Sequence, residues 1–168
     1  MFPSAIQTAI CRRLNETPYF QTAPGIVAIA RCQGDIIQAS REAVERTGVV
    51  VIVMPGDGKF IRAETPTPAI NGTWRIRVEE NVAVNRSAGG TRQPAEDIAW
   101  AAVQRLLHWI PLDKNNAALT GGPLVPGEIS HSESGDNAGQ VWFASEFTVT
   151  VAGGDSEGAY GAALRRHQ

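Results

Sequence analysis

Two long stretches in which apolar and polar residues alternate constrain the fold of this chain more than any other feature. They cover residues 73–85 and 141–151. Strict alternation is typical of a β-strand with one buried face, because successive side chains of a strand point to opposite sides. The first stretch has Trp74, Ile76, Val78, Val82 and Val84 on its apolar side and Arg75, Arg77, Glu79, Asn81 and Asn85 on its polar side. The chain is therefore predicted to build a sheet around two long, half-buried strands.

The most apolar helical pattern, residues 94–110, lies between these two strands. Pro94 suits the first turn of a helix, and Glu96 and Asp97 suit the positive end of its dipole. The predicted apolar stripe consists of Ala99, Val103, Leu106 and Ile110, widened by Ala102 and Leu107. Because so apolar a helix must lie across a sheet, the residues predict an α+β domain.

Weaker patterns predict further elements nearer the N-terminus. Apolar residues recur every four positions from Phe2 to Leu14, which predicts an amphipathic helix. The residues off its apolar stripe are Gln7, Arg12 and Arg13. A second helix is predicted over residues 35–47 and ends at Gly48. The β-branched run at 49–54 predicts a strand that is buried on both faces.

Turn and loop signals complete this outline. Residues 55–58 are predicted to turn the chain so that 59–64 pair with the strand before them, and the Asn-Gly pair at 71–72 predicts a hairpin. Residues 25–30 fit either a short strand or a buried loop. Residues 113–140 are too many for an ordinary connection, so we expect a mobile loop that becomes ordered against a partner.

Composition limits the classes of protein that fit. A length of 168 residues suits one domain, predicted over residues 1–152, with 153–168 as a flexible tail. A net charge of −2 gives no general attraction to nucleic acid or anionic lipid. Neither a signal peptide nor an apolar run of the ~20 residues that span a bilayer is expected. Cys11 and Cys32 are interpreted as two reduced thiols, which suggests folding in the cytoplasm.

Few residues suggest chemistry. Glu80 falls on the apolar side of its strand, where we favour a bulge or strand-end residue over a functional carboxylate. The neighbouring Glu79 points to the opposite face, so the two cannot act as an acid–base pair. The Gly-Gly-Thr run at 89–91 precedes a helix but lacks the spacing and the Lys of a phosphate-binding loop.

His131 is the best candidate for a metal ligand. Carboxylates at Glu128, Glu133 and Asp136 are close to it in sequence, with Ser130, Ser132 and Ser134 between them. A small metal-dependent hydrolase that uses residues 128–136 is therefore one hypothesis. The Ser, Gly and Asn content of this region favours a flexible loop instead. We expect no catalytic residue, no bound metal and no cofactor.

Four segments carry a family resemblance. They read GVVVIV at 48–53, WRIRVEEN at 74–81, AEDIAW at 95–100 and VWFASEF at 141–147. In their order and spacing, residues 1–152 resemble the tail terminator proteins (minor tail protein U-like) of long-tailed phages and related phage-like particles. The chain departs from that family in its Gly-rich segment after Val151 and its Pro-rich stretch at 65–69.

The resemblance implies an α+β fold in which a mixed, mostly antiparallel β-sheet carries helices packed on one face. It also implies a structural protein without catalytic residues. It would form a homo-hexameric ring at the head-proximal end of the virion tail, after assembly in the host cytoplasm. The ring would cap the tail tube protein, stop its polymerisation and offer a surface to the head–tail connector or neck protein. DNA would pass through the lumen without sequence-specific binding. Another head-to-tail neck or completion protein is the alternative within the same class.

Six charged residues are candidates for these contacts. Those proposed for contacts between subunits, on exposed strand faces, are Arg75, Arg77, Glu79 and Glu146. A solvated sheet face explains them equally well. Arg86 and Arg92 flank a Gly-rich loop and could line the lumen. For these two, an ordinary polar hairpin loop is the favoured alternative.

Overall fold

The structure is a computed structural model that describes residues 4–21, 27–29, 33–60, 69–87, 93–133 and 140–152. Its helices are α1 (Ser4–Asn15), α2 (Pro18–Gln21), α3 (Gln33–Arg46), α4 (Val82–Asn85) and α5 (Ala95–Leu106). Its strands are β1 (Val27–Ile29), β2 (Val49–Phe60), β3 (Ala69–Asn81), β4 (Val125–Glu133) and β5 (Gln140–Ala152). None of the helices in these ranges is long and apolar enough to cross a membrane.

The strands form one five-stranded sheet in the order β1-β2-β3-β5-β4. β1 runs parallel to β2, and the other neighbours are antiparallel. The two strands that the alternation predicted, β3 and β5, pair with each other from Ala69 opposite Ala152 to Asn81 opposite Gln140. The predicted α+β fold with a mixed, mostly antiparallel sheet is confirmed.

The core lies between the sheet and two helices. β3 buries Trp74, Ile76 and Val78, as the alternation predicts, and α1 and α5 pack over this face. On the other side of β2, Val50 and Ile52 are fully buried as well, and α3 contacts this strand. The helices on the face that carries Trp74, Ile76 and Val78 are thus α1 and α5. The predicted burial of β2 on both of its faces is confirmed.

Two predicted turns are wrong. β2 does not turn at residues 55–58 but continues to Phe60, with a register shift between Pro55 and Gly58. Its antiparallel partner is β3, not residues 59–64. The Asn-Gly pair at 71–72 lies inside β3, where the Asn71 side chain accepts a hydrogen bond of 2.7 Å from the hydroxyl of Thr150 on β5. Pairing with strands on both sides outweighs the local preference of Asn-Gly for a turn.

The ends of two elements also differ from prediction. β3 stops at Asn81, whose side chain accepts a hydrogen bond from the backbone of Val84 and caps α4, so residues 82–85 do not extend the strand. α5 stops at Leu106, and both Leu107 and Ile110 are exposed rather than part of the buried stripe. His108 adopts a positive φ of 54°, which turns the chain away from the helix axis.

The expected long loop at 113–140 is wrong in its second half, because residues 125–133 form β4 at the edge of the sheet. The first half is tied down by backbone hydrogen bonds, including one of 2.8 Å from Leu119 to Pro111 and one of 2.9 Å from Gly121 to Thr150. Residues 134–139 lie outside the described part of the chain, as do the predicted tail, Cys32 and Arg92.

In α1, Gln7 does not stay off the buried face as predicted. It is buried, and its Nε2 donates a hydrogen bond of 2.6 Å to the backbone oxygen of Val53. An amide can lie in the core when it finds such a partner. Within residues 25–30, where a strand and a buried loop were both open, the described residues 27–29 form a strand, β1.

Candidate assembly surfaces

Glu80 organises a buried polar cluster where β3, α4 and α5 meet. Its Oε2 accepts a hydrogen bond of 2.8 Å from the backbone N–H of Ala95, and its Oε1 accepts one of 2.7 Å from Asn85 Nδ2. Asn85 Nδ2 also donates to the backbone oxygen of Gln93 at 2.8 Å. Since Pro94 gives α5 no side-chain cap, Glu80 supplies an acceptor and a negative charge at this helix N-terminus. The strand-end interpretation of Glu80 is confirmed.

Gly48 fits the same cluster from the α3–β2 junction. Its backbone oxygen accepts a hydrogen bond of 2.7 Å from the N–H of Asn81, and its φ is 75°. A Cβ atom on Gly48 would lie 2.2 Å from the backbone nitrogen of Asn85. The chain therefore requires Gly here for both its conformation and its close approach to α4. Arg86 follows α4 and is exposed; its predicted companion Arg92 is outside the described residues.

Arg75, Arg77, Glu79 and Glu146 form what we call the charged stripe. The residues lie on the face of β3 and β5 opposite α1 and α5. Arg75 Nε lies 2.5 Å from Glu146 Oε1, and Arg77 Nε lies 2.7 Å from Glu79 Oε1. All four are partly exposed. The structure thus brings the four predicted contact residues together, with their charges paired inside one chain.

The sequence predicts the strand face of each residue in the charged stripe but not its ion-pair partner across strands. Alternation predicted that each of the four side chains lies on the polar face of its own strand. The cross-strand partner of Arg75 depends on the register of β3 against β5, which places it opposite Glu146. The more exposed pair, Arg75 with Glu146, contributes only about 0–1 kcal/mol to stability, so it can exchange its partner with a neighbouring molecule at little cost.

A second surface is a groove between α5 and β4, which we call the α5–β4 groove. It encloses a cavity of about 180 Å³ and is lined by Glu96, Trp100, Val103, Ile129, His131 and Ser145. Trp100 is 52% exposed and Ile129 is 47% exposed, so its walls are largely apolar and open. Sequence reasoning missed this site. Its one signal was Trp100, a large apolar residue outside the predicted stripe of α5.

The groove contains His131, the histidine of the hydrolase hypothesis. His131 lies on β4 rather than in a loop, and Ser130 points to the other side of the strand. Ser145 also lines the groove, but its Oγ has no hydrogen-bond partner among the described residues, so it forms no hydrogen bond with His131. No group of three or more metal-ligating side chains occurs in the described ranges, and Asp136 lies outside them.

A second pocket, beside α1, is lined by Arg12, Arg13, Glu16 and Trp109. The guanidinium carbon of Arg13 is 5.4 Å from the centre of the Trp109 ring. Burial and the nearby charge of Arg105 lower the pKa of Arg13, and Glu16 partly offsets them. Arg12 donates hydrogen bonds to the backbone oxygens of two loop residues after α5. These contacts hold the loop after α5 against α1.

Comparison with known proteins adds a structural relationship. No protein-family model and no curated protein matches this sequence. The fold is similar to a chain in a solved structure described as "Virion of native gene transfer agent (GTA) particle", with a TM-score of 0.56 and 15% sequence identity. The match covers 88% of this chain and 94% of that chain. The two chains share a fold.

Proposed function

We propose that this protein is a structural component of a phage-like particle and acts as its tail terminator. The observation that carries the proposal is the fold match to a chain of a gene transfer agent virion, which extends over nearly the whole length of both chains. The resemblance of residues 1–152 to tail terminator proteins is independent of that match and agrees with it. In this role the protein works in the virion, at the head-proximal end of the tail, and needs no cofactor.

The proposed assembly is a hexameric ring. A ring of identical subunits joins two different surfaces of each copy, because its contacts are heterologous. The described sheet offers suitable surfaces: β1 and β4 lie at its opposite edges, and the charged stripe lies on one of its faces. We propose that Arg75, Arg77, Glu79 and Glu146 contact neighbouring subunits by exchanging ion-pair partners.

The proposed ring caps the tail tube protein, ends its polymerisation and presents its other side to the head–tail connector or neck protein. Arg86 is exposed at the end of α4 and is proposed, with Arg92, to face the lumen. Scattered positive charge would let DNA pass through without sequence-specific contacts. A neck or completion protein with the same fold is the second candidate, because the fold match supports a virion component without specifying which one.

Native mass spectrometry of the purified protein, alone and with the tail tube protein of the same particle, tests this function. We expect six-copy rings that bind only tube ends and block further tube growth. Arg75→Glu should reduce ring formation, whereas Lys114→Glu, an exposed control, should not. Rings that bind the connector but never the tube would favour the neck protein. A protein that stays monomeric and ignores tube ends would contradict both candidates.

A further inference from the structure

The pocket beside α1, which we call the arginine pocket, lies next to arginine N–H donors that lack acceptors. It has a volume of about 290 Å³ and is lined by Arg12, Arg13, Glu16, Trp109, Leu112 and Asn116. The Nε atoms of Arg13 and of the nearby Arg105 are both buried, and neither has a hydrogen-bond partner among the described residues. A buried charged donor without an acceptor is unfavourable, so an anionic group in this pocket would be stabilised.

The arginines are held in an arrangement that suits such a group. Arg13 stacks on Trp109, with its guanidinium carbon 5.4 Å from the ring centre. A stack of this kind uses the flat face of the guanidinium, and the N–H groups in its plane can bind two oxygens of an oxyanion at once. Nη2 of Arg12 donates hydrogen bonds of 2.8 Å and 3.1 Å to the backbone oxygens of Leu112 and Asp113, which fixes a second positive charge at the pocket.

The charges at the arginine pocket favour an anion with two negative charges. Arg12, Arg13 and the nearby Arg105 are positive, and Glu16 is the one negative residue of the lining. The Glu16 side chain is 58% exposed and its Oε1 lies 3.9 Å from Arg12 Nε, so water screens much of its charge. Burial and, after it, the charge of Arg105 lower the pKa of Arg13. An excess of positive charge therefore remains to be neutralised.

The adjoining turn does not supply that neutralising charge. Oδ1 of Asp113 accepts hydrogen bonds of 2.7 Å and 2.8 Å from the backbone N–H groups of Asn115 and Ala117. This carboxylate thus closes its own turn, as is common for Asp. Only the backbone oxygen of Asp113 is bonded to Arg12.

We propose that the arginine pocket binds a phosphate group with two negative charges, either free phosphate or the end of a small phosphomonoester. Arg13 donates to its oxygens, and Arg12 and Arg105 add positive charge. A phosphomonoester carries a charge of about −1.5 to −2 at neutral pH, which matches the excess charge better than a carboxylate does. A nucleic-acid backbone fits less well, because each phosphodiester has one negative charge and Glu16 would repel a polyanion. The site does not depend on the proposed ring.

Arginine Nε–H signals in proton–nitrogen NMR spectra of the full chain test the proposal. Sodium phosphate is added at constant ionic strength, which sodium chloride maintains. The Arg13 signal should shift until it saturates, and the signal of Arg41, an exposed arginine on α3, should not. Ribose 5-phosphate should saturate the same signal, and tighter binding than that of free phosphate would identify a monoester as the ligand. Dimethyl phosphate and acetate, each with one charge, should bind at least about tenfold more weakly.

Substitutions provide the second readout, with phosphate affinity measured by calorimetry. Arg13→Gln should lower the affinity at least about tenfold, and Arg105→Gln should lower it less. Arg41→Gln makes the same change of charge and should have no effect. Glu16→Gln should raise the affinity, because it removes the negative charge of the lining and keeps every arginine donor.

Amide NMR spectra show whether each variant is folded, and Glu16→Gln at its exposed position decides the matter even if Arg13→Gln does not fold. Three results would each overturn the proposal. They are a folded Arg13→Gln that binds phosphate as tightly as the unaltered protein, a Glu16→Gln that binds it no more tightly, and equal binding of phosphate and dimethyl phosphate.

Discussion

At the scale of single residues, the informative positions are polar groups that the fold buries. Glu80 is buried on the helix-covered side of β3 and accepts hydrogen bonds from two elements that follow it in sequence. Gln7 is likewise buried with a backbone partner in β2. Because a buried polar group without a partner is costly, such residues specify how neighbouring elements meet.

Glu80→Ala should lower the free energy of unfolding by about 2–4 kcal/mol, because it leaves the N–H of Ala95 and the amide of Asn85 with one acceptor fewer each. The matched control is Glu79→Ala on the same strand. It removes the ion pair with Arg77 on the partly exposed face of β3 and should cost less than Glu80→Ala. Urea unfolding measures both. Equal effects of the two substitutions would show that the buried cluster does not stabilise the fold.

Cys11 predicts a dependence of stability on pH. Burial raises the pKa of its thiol from 9.0 to about 12. Below pH 9 the thiol is protonated in both states, and its contribution to stability is complete. Between pH 9 and about 12 the unfolded chain loses this proton while the folded chain keeps it, so stability falls by up to about 1.4 kcal/mol per pH unit.

Unfolding free energies at pH 8, 9 and 10 test this dependence against Cys11→Ala. The variant lacks the thiol but keeps all other groups that titrate, so the difference between the two proteins should shrink as pH rises. A difference that stays constant from pH 8 to pH 10 would mean that the thiol is accessible to solvent in the folded state.

At the scale of elements, α5 holds the structure together. It packs across β3 and β5 and contacts α1. The backbone N–H of its first residue, Ala95, donates a hydrogen bond to the carboxylate of Glu80. Two adjacent leucines at the end of α5 differ in burial: Leu106 is fully buried, and Leu107 is 43% exposed. The helix therefore provides an internal comparison between core and surface.

Leu106→Ala should destabilise the protein by about 2–5 kcal/mol, because it removes buried methyl groups and leaves a cavity under α5. Leu107→Ala should change stability by no more than about 0.5 kcal/mol. Thermal and urea unfolding compare the two variants. If Leu107→Ala proved as damaging as Leu106→Ala, the exposed side of α5 would have to be covered by another part of the molecule.

The junction between α3 and β2 depends on Gly48. Gly48→Ala should cost at least about 2 kcal/mol, since it adds backbone strain at φ 75° and a contact of 2.2 Å with α4. Gly122→Ala is the control, because no described atom lies within 4 Å of its added methyl group. Expression level and unfolding midpoint report the effect. If Gly48→Ala were as stable as the control, α4 would have to move away from residue 48 without any loss of stability.

At the scale of the whole molecule, the sheet leaves two kinds of surface for assembly. The charged stripe is paired within the chain, and the α5–β4 groove is apolar and open. Neither surface contains a metal-ligating cluster in the described ranges. In the proposed function, these surfaces rather than His131 make the contacts of assembly.

His131→Ala should therefore leave folding and ring mass unchanged, and the variant should still cap tail tubes. The measurement is native mass spectrometry together with a tube-capping assay, and Arg75→Glu serves as the variant expected to fail. Zinc bound by the unaltered protein and lost from His131→Ala, together with loss of capping, would instead support the hydrolase hypothesis.

Sequence alone determined which faces of the long strands are buried and where α3 ends. Those properties depend on the local periods of strand and helix and on the conformational freedom of Gly48, all of which can be read within a few neighbouring residues. It also determined that each residue of the charged stripe lies on the polar face of its own strand.

Tertiary structure alone decided the rest. Strand register placed Arg75 opposite Glu146, pairing on both sides drew Asn71 into β3, and contact with β5 made a strand of residues 125–133 that look like a loop. The α5–β4 groove arises only where these elements meet. Contacts between residues that are far apart in sequence outweigh local preferences of less than about 1 kcal/mol, and those contacts are not encoded in any single segment.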